Sequence, residues 1–271
     1  MGSLSFVLAQ VIEEWEGMRI ELAFQPQIKG RVDVSRLQPS SVLQVSMKQL
    51  EHQTVIVANN PIPLVEVCRV RREIDKSDEL VFSGETQRLI KVGLSMNGGR
   101  IMVEGNVGDE LGVSMAAGSI HVHGSVGDWC GANEYPNSTG MQGGMIFVEG
   151  NAGDQVGAGM RRGLIFISKN TGQYAGARMA AGTILCCGRL GTCPGLGMKR
   201  GSIIAGKAND LPPGFLAAGN ADDEWLRICY SDLRRSGIKL PETWLEQSPI
   251  RFTGDHLETG RGEILIYDQV E

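Results

Sequence analysis

Apolar and polar positions alternate with a period of two over runs of four or five residues. These runs recur down the middle of the chain: Ile101 and Val103, Ile120 and Val122, Ile146 and Val148, Ile165 and Ile167, Ile184 and Cys186. Short alternating runs bounded by glycine predict half-buried strands, and no periodic run between the glycines is long enough for a helix.

The runs belong to a longer repeat. Met96, Met115, Met141, Met160, Met179 and Met198 follow one another at intervals of 19, 26, 19, 19 and 19 residues. The long interval carries a seven-residue insertion, ANEYPNS, with Tyr135 and Pro136 at its tip. Four glycine columns, opening with Gly99, Gly105, Gly108 and Gly93, hold 21 of the 37 glycines, so the glycines mark corners rather than linkers. A single unit cannot offset its own backbone entropy, because each fully buried aliphatic side chain contributes only about 1.5–3 kcal/mol. Stability must come from stacking, and a ring of about 19 residues with several short strands, stacked at roughly 4.8 Å, predicts a parallel β-helix. The methionines would be soft fillers of its core.

The flanks lose the repeat. Residues 1–76, with strand-like VIVA and LVEVCRV runs, predict an N-terminal cap on the repeat domain 77–207, and 208–271 a C-terminal cap of helix and strand. In the latter, Asp222, Asp223 and Glu224 would begin a helix. Trp225, Ile228, Cys229 and Leu233 would share its apolar face, and Arg234, Arg235 and Gly237 would end it.

Composition narrows the class. The chain has 271 residues, 42% hydrophobic, enough for a real core. A net charge of -5 offers no global attraction for nucleic acid or an acidic membrane surface, so neither is an expected partner. Six cysteines without a CxxC pair, and a start, MGSLSFVLAQVIEEW, without the pattern of a signal peptide or a myristoylation site, lead to the expectation of a cytoplasmic protein with reduced thiols.

Chemistry within the repeat is sparse. The Gly-Asp pairs at Asp109, Asp128 and Asp154 lack the nine-residue period of calcium-binding rolls, and the Gly-x-x-Gly spacing lacks a phosphate-receiving helix. His121 and His123 read as a surface pair rather than metal ligands, since no carboxylate or cysteine lies nearby in sequence. Cys186, Cys187 and Cys193 read as core and surface residues rather than a cluster. No catalytic residue and no metal site is expected.

Two surfaces stand out. Met102, His121, Phe147, Phe166, Leu185 and Ile204 take equivalent outward positions in successive units, an apolar column that predicts a covered face, under a partner protein or under the chain's own ends. Arg161, Arg162, Arg178, Lys199 and Arg200 gather near the methionine corner, where they form a solvated edge or a strip for an anionic ligand or acidic partner.

The pattern G-x-I-x-V-x-G-x-x-G-x-x-x-G-x-x-M over 80–206, with Gly254, Asp255, Gly262 and Glu263 in the tail, resembles the glycine-rich domain of the C-type subunits of formylmethanofuran dehydrogenase, shared with the C-terminal domain of the glutamate synthase large chain. Over its whole length the chain is most similar to the family members found in formyltransferase/hydrolase complexes of aerobic methylotrophs. The resemblance implies a right-handed parallel β-helix acting as a noncatalytic scaffold beside an amidohydrolase-like subunit, a formyltransferase subunit and a degenerate molybdopterin-type subunit. It implies no cofactor held by this chain alone, and a methanofuran-like carrier that exchanges formyl groups with tetrahydromethanopterin during formaldehyde oxidation. If that carrier has a polyglutamate tail, the five basic residues would hold part of it. Lys169 in place of a glycine, Gly206 one residue early and the insertion depart from the pattern. Two alternatives remain: the corresponding subunit of a tungsten or molybdenum formylmethanofuran dehydrogenase, and a stand-alone β-helix acyltransferase, against which the absence of a six-residue period argues.

Overall fold

A computed structural model describes residues 17–75, 77–134, 138–221, 224–235 and 238–267. The chain start, the insertion tip at Tyr135 and Pro136, the helix-opening Asp222 and Asp223, Gly237, and the side chains of Trp225 and Cys229 lie outside the described residues.

The strands are β1 (Gly17–Phe24), β2 (Val32–Asp33), β3 (Thr54–Val57), β4 (Asn60–Pro63), β5 (Cys68–Asp75), β6 (Glu79–Gly84), β7 (Leu89–Ile90) and β8 (Asn97–Val103). They continue as β9 (Ala117–Val122), β10 (Met145–Val148), β11 (Leu164–Ile167), β12 (Thr183–Leu190), β13 (Arg200–Ala208), β14 (Leu216–Asn220), β15 (Ile250–Gly254) and β16 (Arg261–Ile266). Short helices α1 (Pro39–Val42), α2 (Met47–Glu51) and α3 (Leu64–Val67) precede the repeat, and α4 (Glu224–Arg235) and α5 (Thr243–Glu246) follow it.

Among the described residues one sheet of twelve strands dominates, in the order β14-β15-β16-β13-β12-β11-β10-β9-β8-β6-β1-β5. The pairings from β1 through β6 and β8–β13 to β16 are parallel, and antiparallel pairs close both ends. This corrects the expected right-handed parallel β-helix with several short strands per unit: the fold is mainly β, organised on a large, mostly parallel mixed sheet to which each repeat contributes one strand. The remainder of each repeat is turns, joined by single bridges such as Val107 to Val126 and Val126 to Ala152. The reason is conformational. Glu110, Trp129, Gln155 and Tyr174 recur in the left-handed region, φ 59° to 68°, and a second left-handed column includes Ser95, Ser114 and Arg178. Two reversals of this kind per repeat leave no room for further extended pairing.

Register follows the alternation. Ile20, Leu80, Ile101, Ile120, Ile146, Ile165, Ile184, Ile203 and Ile264 pair in sequence across the sheet, each fully buried. A second inward ladder runs in parallel through Val103, Val122, Val148, Ile167 and Cys186. Where Lys169 replaces a glycine the chain keeps step, the Lys169 N–H donating to the Gly150 carbonyl and Ala152 bridging Thr171, but register shifts between Cys186 and Arg189, just where Gly206 comes early.

The methionine and glycine columns explain each other. A Cβ on Gly163, whose φ is +101°, would lie 2.8 Å from the Met141 Cε, and the same encounter recurs for Met115 with Gly144 and Met179 with Gly201. Each of these methionines is buried with its methyl against the glycine that opens the second unit after its own, so neither column can change alone. Gly262 receives Met198 in the same way, which makes β16 the continuation of the ladder.

The flanks meet the stack differently. Val32, Val34, Leu37, Val42, Leu50, Val55 and Leu64 join the interior cluster, several of them carried by the small sheet β4-β3-β2-β7. The C-terminal segment serves both faces: Phe215, Ile264 and Ile266 join the interior cluster, whereas α4 and α5 pack on the outer face of the large sheet.

Candidate functional site

Outward residues of adjacent parallel strands stand side by side, so the apolar column forms as one row: Met102 pairs with His121, His121 with Phe147, Phe147 with Phe166, Phe166 with Leu185, and Leu185 with Ile204. Its two halves meet different surroundings. Phe166, Leu185 and Ile204 are buried in a cluster with Leu226, Tyr230 and Leu233 of α4 and Trp244 of α5, so the chain's own C-terminal segment covers them. Trp244 stacks on Tyr267 at 4.5 Å, and the Tyr230 and Tyr267 hydroxyls meet at 2.7 Å. The buried face of α4 departs from the expected one, because Ile228 is 63% exposed and Leu226 and Tyr230 point inward with Leu233. Met102, His121 and Phe147 are only half-buried.

At the edge of that cover, two consecutive strands bring together a group that local sequence does not reveal. His121 and His123 leave β9 on the outer face, and Glu149 follows β10 beside them, since Val122 pairs with Val148. One Glu149 carboxylate oxygen, Oε1, accepts hydrogen bonds from His121 Nε2 and His123 Nδ1, both at 2.9 Å. The main chain holds the group in place, with His123 N–H donating to the Val103 carbonyl and Glu149 N–H to that of Val122. Burial acts to raise the Glu149 carboxyl, but hydrogen bonds from His123 and His121, and their charge, outweigh it and hold it below the ordinary 4.5. The three side chains offer ligand atoms within 4.8 Å of one another. No carboxylate lies near the histidines in sequence, but the sheet brings one beside them: Glu149 is 26 residues from His123 along the chain. The repeat alignment carries the signal, for GSIHVHG over GMIFVEG sets His123 beside Glu149. A cavity of about 350 Å³ opens alongside, lined by His121, Phe147, Glu149, Phe166, Ile238 and Lys239.

The basic residues divide as well. Arg161, Arg178 and Lys199 line a cavity of about 300 Å³ together with Asn133, Thr139 and Glu258. Arg162 and Arg200 are exposed but do not line it, and Arg200 pairs in register with Arg261 at the start of β16. Arg178 also borders a neighbouring cavity of about 530 Å³ with Tyr174, Leu196 and Leu257.

The other polar columns are engaged in structure. Asp109 accepts the Asp128 N–H at 3.0 Å, Asp128 that of Asp154 at 2.8 Å, and Asp154 that of Gln173 at 2.8 Å. Asn106, Ser125, Asn151 and Asn170 hand the chain on in the same manner. Burial pushes the Cys68, Cys130, Cys186 and Cys187 thiols up to about 12, which favours the protonated form at neutral pH. Among the described residues no helix is long and apolar enough to cross a membrane.

Neither a known protein family nor a curated protein matches the sequence. By structure, the chain matches one from the formyltransferase/hydrolase complex (FhcABCD) of Methylorubrum extorquens, solved with methylofuran. The match has a TM-score of 0.77 and 28% sequence identity, and covers 92% of this chain and 100% of that chain. The present chain is thus related along nearly its whole length to a component of an assembly of several different proteins.

Proposed function

We propose that this chain is the C-type, glycine-rich subunit of a formyltransferase/hydrolase complex, a noncatalytic scaffold for enzymes that pass formyl groups between tetrahydromethanopterin and a methanofuran-like carrier and release formate. The observation that carries this reading is the near-complete superposition on a chain of such a complex. The engagement of the Asp and Asn columns in holding successive repeats supports a structural role. The partners would be an amidohydrolase-like subunit, a formyltransferase subunit and a degenerate molybdopterin-type subunit. The chain divides into 1–76, the repeat domain 77–207 and 208–271, and the described parts of the two flanking regions act as covers for the repeats. Met102, His121 and Phe147 are the part of the apolar column left for a partner. Arg161, Arg178 and Lys199, with Arg162 and Arg200 beside them, receive the anionic end of the carrier through contacts that weaken with salt.

Native mass spectrometry of the chain purified from its own cells tests the reading. Co-purification with formyltransferase and amidohydrolase-like chains is expected. A tungsten- or molybdenum-containing partner would assign the chain to a formylmethanofuran dehydrogenase instead, and a lone chain would overturn both. Reversing Arg161, Arg178 and Lys199 to Glu should lower carrier retention without slowing hydrolysis of a small formylated analogue. Unchanged carrier occupancy would return the corner to a solvated edge.

A further inference from the structure

We infer that His121, His123 and Glu149 form a binding site for a divalent transition ion of the zinc class. Two imidazoles and a carboxylate are a donor set that such ions take, with remaining positions left to water. The geometry is close to what one ion requires. Donor atoms bound to a common zinc lie about 2.8–3.6 Å apart at angles between right and tetrahedral, given metal–ligand bonds of about 2.0–2.2 Å. Glu149 Oε1 lies 2.9 Å from each of the two nitrogens, so small side-chain rotations would admit the ion.

Three features make this more than a chance encounter of surface groups. The ligands sit at the ends of consecutive parallel strands, His121 within β9 and His123 and Glu149 one residue past β9 and β10, with register fixed by the inward Val122–Val148 pair, so their backbone positions are set before any ion arrives. The rings are also oriented: His121 packs edge-on against Phe147, with centroids 6.2 Å apart, and lies 4.6 Å from the His123 ring. Finally, the repeat has an acidic residue one strand earlier, Glu104, in line with His123, but Glu104 is turned toward Arg19 at 3.5 Å and is not one of the converging donors. The site is therefore built by three particular residues rather than by a general excess of carboxylates. An ion held there would border the cavity that His121 and Glu149 line together with Ile238 and Lys239. On binding, the ion takes the lone pairs of the two nitrogens that now face Glu149, and each imidazole carries its proton on the other nitrogen.

The test uses the full-length chain, stripped with a chelator and titrated with zinc alone by calorimetry, then with cobalt for its visible absorption. Saturable binding of one ion per chain is expected. Glu149→Gln and His123→Ala should each weaken it by about tenfold or more, while His52→Ala, at the end of α2 and outside the cluster, should leave it unchanged. His121→Gln keeps a hydrogen-bonding side chain, and its metal-free melting curve, matched to that of the parent, separates lost ligation from lost folding. Absence of one-to-one binding, or binding that survives all three site variants, would overturn the inference and leave a hydrogen-bonded cluster.

Discussion

Six repeat strands of the large sheet, β8 through β13, place Met102, His121, Phe147, Phe166, Leu185 and Ile204 in one outward row, and the two halves of this row behave as different surfaces. From Phe166 onward the residues are buried beneath α4 and α5, packed against Leu226, Tyr230, Leu233 and Trp244. Before Phe166 they are half-buried, and they interleave with titratable groups, His121, His123 and Glu149. An apolar residue in a repeat position thus does not tell what covers it. The neighbouring chain decides: an internal cover removes water from Leu185 completely, whereas Phe147 keeps a wet side and a charged neighbour.

The largest effect should come from the inward ladder, which both halves share. Ile165→Asp places an unpaired carboxylate between Ile146 and Ile184 and should abolish the cooperative thermal transition followed by circular dichroism. A normal melt would mean that the inner ladder does not support the two halves alike. Next, Leu185→Ala should cost about 2–5 kcal/mol in urea unfolding, as expected for a fully buried leucine. Met102→Ala, in the open half, should cost about 1 kcal/mol or less, and equal losses would erase the distinction between the halves. Phe166→Ser should likewise lower the melting temperature of the isolated chain. Phe147→Ser, at the edge of the same cluster, should lower it less while weakening co-purification of partner chains. If Phe147→Ser destabilises the isolated chain as much as Phe166→Ser, the internal cover extends further than α4 and α5.

The smallest effect concerns the N-terminal layer. Asp33 and Lys91 form an ion pair at 3.2 Å, joining β2 to the residue after β7. Burial raises the Asp33 carboxyl, but hydrogen bonds from Ser35 and Lys91 outweigh it and hold it below the ordinary 3.8. The hydrogen bond to Asp33 raises the Lys91 ammonium above 10.5, against partial desolvation. A depressed carboxyl gives stability that is present above 3.8 and lost as pH falls through its folded value. A raised ammonium gives stability that is complete below 10.5 and lost as pH rises through its folded value. Asp33→Asn should therefore lower the unfolding free energy in urea by about 1 kcal/mol or less at neutral pH, with the difference from the parent vanishing in strong acid. A pH-independent difference would assign the loss to packing instead.

Much of the inner architecture is legible in the sequence because repetition makes it so. Alternating Ile and Val at fixed intervals give the register of β8 through β13, and the constant phase of methionine against glycine reports a physical contact between repeats. What escapes depends on neighbours far along the chain. The number of strands per repeat is smaller than the pattern suggests because left-handed residues such as Glu110, Trp129 and Tyr174 carry no strong propensity signal in their side chains. The apolar face of α4 is ambiguous in sequence, since amphipathic patterns of one helix admit more than one face, and Leu226 and Tyr230 rather than Ile228 meet the sheet. Glu149 is hidden for a different reason: the partner of His121 and His123 lies across the stack rather than along the chain.

The hydrogen bonds between the parallel strands point along the stack, and this gives the protein a mechanical direction. Tension applied across the two ends of the sheet peels one strand interface at a time, whereas force along the strands loads many bonds together in shear. End-to-end pulling should therefore proceed at low force in steps, each releasing one 19-residue unit, about 65 Å of extended chain. The 26-residue interval between Met115 and Met141 sets one longer step, about 90 Å, an internal length marker for the direction of unravelling.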